Sequence, residues 1–249
     1  MFQLSLIGIG SGHADHLTGA AIRALNDADL ILLPAKGEEK AQLLDLRRAL
    51  LADMLTRPIP QATFDMPTRR ADIPYLDAVN DWHDQIAARW LEAIRTHLPQ
   101  GGRVALLVWG DPSLYDSTLR IAARAGDVAV QVIPGLTSLQ MLTAAHAVPL
   151  NTLGGAVMIT TGRMLRDHGW PLGAESVAVM LDAGGAYEVL DPDGLHIWWG
   201  AYLGLPQQAL IVGPLADVAD QIKTQRATLR AQNGWIMDIY LLRRGGALA

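Results

Sequence analysis

Three short glycine-containing segments hold the residues best able to do chemistry. Gly8-Ile9-Gly10-Ser11-Gly12 is followed by His13, Asp15 and His16, two imidazoles and a carboxylate beside a turn of little bulk. Such glycines let backbone N–H groups approach a pyrophosphate closely. A dinucleotide fingerprint fits poorly: its third glycine would fall at His13, and the next apolar run ends Leu33-Pro34 with no acid for a ribose. In the second segment, Gly110-Asp111-Pro112, the proline drives Asp111 out of the helical region and turns its backbone groups outward. The third, Ile133-Pro134-Gly135-Leu136-Thr137-Ser138, places hydroxyls where a helix would begin, as caps or as ligand donors. The chain contains no cysteine, which removes thiolate nucleophiles, thiolate metal ligands and disulfides. Its seven histidines show no metal-ligand spacing, so no metal is expected.

These segments need strands and helices to hold them. Leu4–Ile9, Leu30–Leu33, Val104–Val108 and Ala129–Ile133 are short buried runs, three of them ending at the glycine segments. Helices are predicted over His16–Asn26, Lys40–Leu55, Leu114–Arg124 and Ser138–His146. A long amphipathic helix is predicted over Tyr75–Leu98, where Leu76, Val79, Trp82, Ile86, Trp90, Ile94 and Leu98 recur every three or four residues. At that spacing Trp82 and Trp90 are core. Residues 56–74 carry four prolines and read as an irregular excursion. In the second half, Val157–Thr160, Val177–Leu181, His196–Tyr202, Leu210–Val212 and Trp235–Leu242 are strand-like, with one long helix over Ala216–Arg230. More strands per helix implies a mixed sheet. The expectation is α/β, in two α/β domains, 1–117 and 118–249.

Half of the 249 residues are hydrophobic and 18% are charged, enough apolar material for a sizeable core. The net charge is −5 and neither half carries a basic excess, which disfavours nucleic acid as a partner. No apolar run approaches the ~20 residues of a membrane helix, and no basic residue precedes Arg23 to form a secretory n-region. A cytoplasmic protein is expected.

Taken in order, the glycine loop with Leu17-Thr18, Ala28-Asp29 before a strand, Gly110-Asp111-Pro112-Ser113-Leu114-Tyr115 and Pro134-Gly135-x-Thr137-Ser138 resemble the tetrapyrrole methylases. The late turn Leu203-Gly204-Leu205-Pro206-Gln207-Gln208 extends the likeness over essentially the whole chain. Pro34-Ala35-Lys36-Gly37-Glu38-Glu39-Lys40, Trp109 and Trp198-Trp199-Gly200-Ala201-Tyr202 are similar to the branch that removes acetate from its substrate.

The resemblance implies two domains with S-adenosyl-L-methionine in the inter-domain cleft. Carried over by position, Trp109, Gly110, Asp111 and Leu114 would line one side of the cofactor, and Thr137, Ser138, Leu181, Leu203 and Gly204 the other. The implied substrate is precorrin-5, methylated at C1 with loss of acetate. Alternatives are methylation at another ring carbon, or a non-corrin member such as diphthine synthase. Carboxylate arms suit arginine forks; Lys36, Arg69, Arg70 and Arg163 are candidates with Ser11, as is the pair Arg47-Arg48. Acetate loss needs a general base. The first loop offers His13, Asp15 and His16, and the second offers Asp111. His13 is favoured, because it stands where most relatives have aspartate and because imidazole is the side chain best suited to proton transfer near neutral pH. The resemblance and the seven tryptophans suggest a homodimer.

Overall fold

The computed structural model describes residues 1–35, 41–126 and 128–245, the side chain of Ala41 excepted. The chain divides into two units, 1–137 and 138–249.

In the first unit five parallel strands form one sheet. In chain order they are β1 (Phe2–Gly8), β2 (Leu30–Ala35), β3 (Gln61–Asp65), β4 (Gly102–Val108) and β5 (Val128–Ile133), and in space β3-β2-β4-β1-β5. Helices α1 (Gly19–Asp27) and α2 (Ala41–Met54) cover one face, packing on Ile7, Ile31, Leu33, Ala105 and Leu107. Helix α3 (Tyr75–His97) and the short α4 (Thr118–Ala122) cover the other, on Leu4, Leu6, Leu32, Val104 and Leu106. Strands buried on both faces cannot alternate, hence the unbroken apolar runs in β2 and β4. Trp90 is buried and Trp82 half-buried, its Nε1 donating to Pro67 O at 2.7 Å.

Three expectations are corrected. Residues 61–65 are not irregular: they form edge strand β3, burying only Ala62 and Phe64, a two-residue alternation easily lost among prolines. The helix expected over 114–124 shrinks to α4, because Tyr115 is left-handed (φ 49°) and Asp116 Oδ1 caps the start at Thr118 N, 2.6 Å. The first unit does not end at 117: β5 pairs with β1 from Val128 to Ile133, so the unit runs to Thr137.

The second unit begins with α5 (Ser138–His146) and builds a mixed sheet. Its strands are β6 (Val157–Thr161), β7 (Ser176–Met180), β8 (Leu195–Ala201), β9 (Ala209–Pro214) and β10 (Asp238–Arg244), ordered β6-β7-β10-β8-β9. Only β6 and β7 are parallel neighbours; the other pairs are antiparallel. Helices α6 (Gly162–His168) and α7 (Leu215–Asn233) help bury Val177, Ile197, Trp199, Tyr240 and Leu242. Helix α5 packs on β8, β9 and β10. Gly200 admits it, since a Cβ there would stand 2.9 Å from Leu142.

Candidate functional site

The three glycine segments meet at the carboxyl ends of β1, β4 and β5, the edge at which open α/β sheets bind ligands. A Cβ on Gly8 would stand 2.6 Å from Gly135 N and 2.8 Å from the Gly110 carbonyl; one on Gly135 would run into that same oxygen. Gly10 and Gly110 exchange two backbone hydrogen bonds (3.2 and 2.8 Å), both with positive φ, 59° and 62°. Glycine is required here for close approach and for conformation.

Asp111 locks this arrangement. Buried in its turn, it accepts Gly135 N–H at 2.9 Å on Oδ2, and Ser113 N–H at 2.8 Å and Ser113 Oγ–H at 2.5 Å on Oδ1. Burial pushes its pKa up, but these bonds outweigh burial and hold it below the usual carboxylate range. With both oxygens engaged, Asp111 braces the turn and is a poor general base.

In the first loop, buried Ser11 lies 2.7 Å from His16 Nδ1 through its Oγ. His13 is exposed and its Nδ1 accepts Asp15 N–H at 3.2 Å, capping the 3-10 turn Ala14–His16. Held so, neutral His13 carries its proton on Nε2. Burial, and then the neighbouring His13, lower the pKa of His16. A Cβ on Gly12 would stand 2.6 Å from the Trp109 ring.

The basic candidates separate. Arg69 is exposed and stacks over Tyr75 at 5.1 Å; Arg70 is exposed and already forked onto Asp72 (3.1 and 2.6 Å). Arg163 is an exposed residue in the first turn of α6. Lys36 lies outside the described residues. Of the described basic candidates Arg47 alone is buried, its guanidinium 4.7 Å from the Trp109 ring centroid.

In the second unit, Leu181 follows β7 with φ 52° and its side chain 65% exposed, an apolar group presented outward on a strained backbone. Leu203 is buried, and Gly204 (φ 73°) donates its N–H to Gln208 Oε1 at 2.7 Å. Among the described residues four non-glycines have positive φ, and three of them, Tyr115, Leu181 and Tyr202, coincide with or adjoin expected cofactor residues. Asp182, which sequence reasoning missed, fixes the turn after Leu181. It accepts Gly184 N–H (3.1 Å), Ala186 N–H (2.6 Å) and Tyr240 O–H (2.7 Å). Gly162 makes room for it, since a Cβ there would run into the carboxylate. Asp-Ala-Gly-Gly after a strand reads as an ordinary turn, so only a buried partner such as Tyr240 distinguishes it.

No cluster of three His, Asp or Glu among the described residues could hold a metal ion. An open depression of about 630 Å³, lined by Arg48, Leu51, Leu55, Arg57 and Gln61 among others, lies by the amino ends of β2 and β3, opposite the glycine turns.

The family model for Tetrapyrrole (Corrin/Porphyrin) Methylases matches residues 3–219. The chain is 45% identical to Precorrin-6A synthase [deacetylating] of Sinorhizobium sp, over 98% of this chain and 96% of that one. The cobalamin-synthesis-related protein CobF of Corynebacterium diphtheriae superposes with a TM-score of 0.83 at 37% identity, covering 99% of this chain and all of that one. Uroporphyrin-III C-methyl transferase from Thermus thermophilus, complexed with S-adenosyl homocysteine, shares the fold at 19% identity (TM-score 0.59; 97% and 92% covered). The chain belongs to the tetrapyrrole methylases.

Proposed function

We propose that the chain methylates precorrin-5 at C1 with loss of acetate, giving precorrin-6A in cobalamin biosynthesis. The observation that carries this reading is the 45% identity, over nearly the full length of both chains, with a precorrin-6A synthase. S-adenosyl-L-methionine would supply the methyl group as an activated sulfonium. Trp109, Gly110, Asp111, Leu114 and Thr137 of the first unit, and Ser138, Leu181, Leu203 and Gly204 of the second, are our candidates for holding it. The turn leaves room for such a ligand: a Cβ on Gly110 would meet nothing nearer than 3.9 Å, so the Cα of Gly110 faces open space.

Water adds to the acetyl carbonyl, the bond from C1 to the acetyl carbon breaks, and acetate departs with the water oxygen. The electron pair stays on C1, delocalised over the ring, and C1 accepts the methyl. The chain aligns these groups and activates the water, worth roughly 10²–10⁴-fold in rate. The first loop supplies the base in this reading. His13 was the expectation from sequence, but its Nδ1 cap leaves a proton on Nε2. His16 suits the role better: in the tautomer that donates Nδ1–H to Ser11, Nε2 is left as an acceptor, and the lowered pKa favours the neutral ring. Ser11, Lys36, Arg69, Arg70 and Arg163 remain candidates for the macrocycle's arms.

The protein is taken as a cytoplasmic homodimer. No helix among the described residues is long and apolar enough to cross a membrane. Light scattering at micromolar concentration should give twice the mass of one chain.

Mass spectrometry of a reaction with precorrin-5 and methyl-labelled cofactor should show one methyl gained and one acetate released per turnover. A methylated product that keeps its acetyl group would move the activity to another ring carbon. Acetate and product assayed separately should both fall in His16→Gln and less in His13→Ala.

A further inference from the structure

Arg47 sits in the apolar stripe of α2, in register with Leu43, Leu50 and Leu51, and is only 6% exposed. Among the described residues it has no ion pair. Its Nη1 donates to Leu43 O in its own helix at 3.2 Å, and its Nε is buried without a partner. Among the described residues Asp116 is the acid whose field reaches it, but that carboxylate accepts Thr118 N–H at 2.6 Å and Thr118 Oγ1–H at 2.5 Å. Burial lowers the Arg47 pKa to about 10, so the charge persists at neutral pH. Burying an uncompensated cation is costly and is tolerated where an anion will supply the missing partner. The guanidinium lies over Trp109, the residue that leads into Gly110-Asp111 and touches Gly12 of the first loop. The positive charge is therefore set beside the glycine turns, in a chain of net charge −5.

We propose that Arg47, held against Trp109, anchors one carboxylate arm of the tetrapyrrole substrate. This rests on the substrate class proposed above. A guanidinium fork with an unused Nε matches a carboxylate, and Trp109 fixes its plane. The competing account, that Arg47 merely braces Trp109, makes the opposite prediction for stability.

The test uses the full chain with Arg47→Met and Arg47→Lys, reading thermal unfolding, the Kd for S-adenosylhomocysteine, and KM and kcat with precorrin-5. For Arg47→Met we expect a Tm equal to or above wild type, unchanged S-adenosylhomocysteine affinity, and a KM about ten- to hundredfold higher. Arg47→Lys should recover part of that loss. A Met variant with wild-type KM, or one that loses stability and cofactor affinity together, overturns the proposal. If the wild type itself leaves precorrin-5 unchanged, the functional reading fails and this inference falls with it. A wild type that turns it over beside an unaffected Met variant refutes the role of Arg47 alone.

Discussion

The two units build their turns in different ways. In the first, backbone meets backbone: Gly8, Gly110 and Gly135 pack with no side chain between them, and one carboxylate, Asp111, ties two of the strand ends together. In the second, side chains carry the load. Asp182 gathers two N–H groups and the Tyr240 hydroxyl, and Arg226 donates to the Asp182 carbonyl and, at 2.6 Å, to Asp238, which also accepts Trp199 Nε1 at 3.0 Å. A parallel sheet ends all its strands at one edge, so turns crowd there and small residues win. A mixed sheet sends strands both ways, and its turns are tied down from the core.

The largest effect should come from the second unit. Asp182→Ala would leave Gly184 N, Ala186 N and Tyr240 O–H without an acceptor, at a cost of about 3–5 kcal/mol. Urea unfolding would measure it, with hydrogen exchange reporting lost protection in β7 and β10. Gly135→Ala should cost the first unit about 1–3 kcal/mol, because the Gly8 and Gly110 backbones must yield. If both variants unsettle the same amides, the contrast between the units is wrong.

Asp111→Asn should cost about 1–2 kcal/mol at neutral pH, because the amide NH2 must replace one of two accepting oxygens and would then face Gly135 N–H or Ser113 N–H donor to donor. The folded pKa of Asp111 lies below its ordinary 3.8, so its contribution is present above that value and lost as pH falls through the folded pKa. The gap between wild type and variant should be full above roughly pH 5 and narrow in more acidic solution. A gap constant to pH 2 would show that the charge is irrelevant. The smallest effects are the control. Thr18 caps α1 at Ala21 N (3.1 Å) and Thr161 caps α6 at Met164 N (3.3 Å). Each alanine variant should cost about 0.5–1 kcal/mol by thermal melting. Unequal costs would mean that the units differ in more than their turns.

This contrast explains what could be read from sequence. The runs Leu4–Ile9 and Val104–Val108 and the glycines at their ends were visible because each states its own conformational need. Strand β3 was hidden, since Ala62 and Phe64 make too short a pattern. Arg47 could be seen to interrupt a leucine stripe, but its burial depends on Trp109, distant in sequence. Asp182 had no local mark, because Gly162 and Tyr240 become its neighbours only in the folded sheet.

The strand order β3-β2-β4-β1-β5 also bears on how the chain leaves the ribosome. β1 is made first, yet both its partners come late, β4 beginning at Gly102 and β5 at Val128. At about 5–20 residues per second, β1 waits on the order of 5–20 s for its first partner. Through that interval Leu4, Leu6, Ile7 and Ile9, all destined for full burial, have no sheet to join. The glycine turns cannot close until Gly135 has emerged. Nascent chains stalled before residue 102 should therefore hold chaperones at the amino terminus, and those stalled well past 137 should let them go.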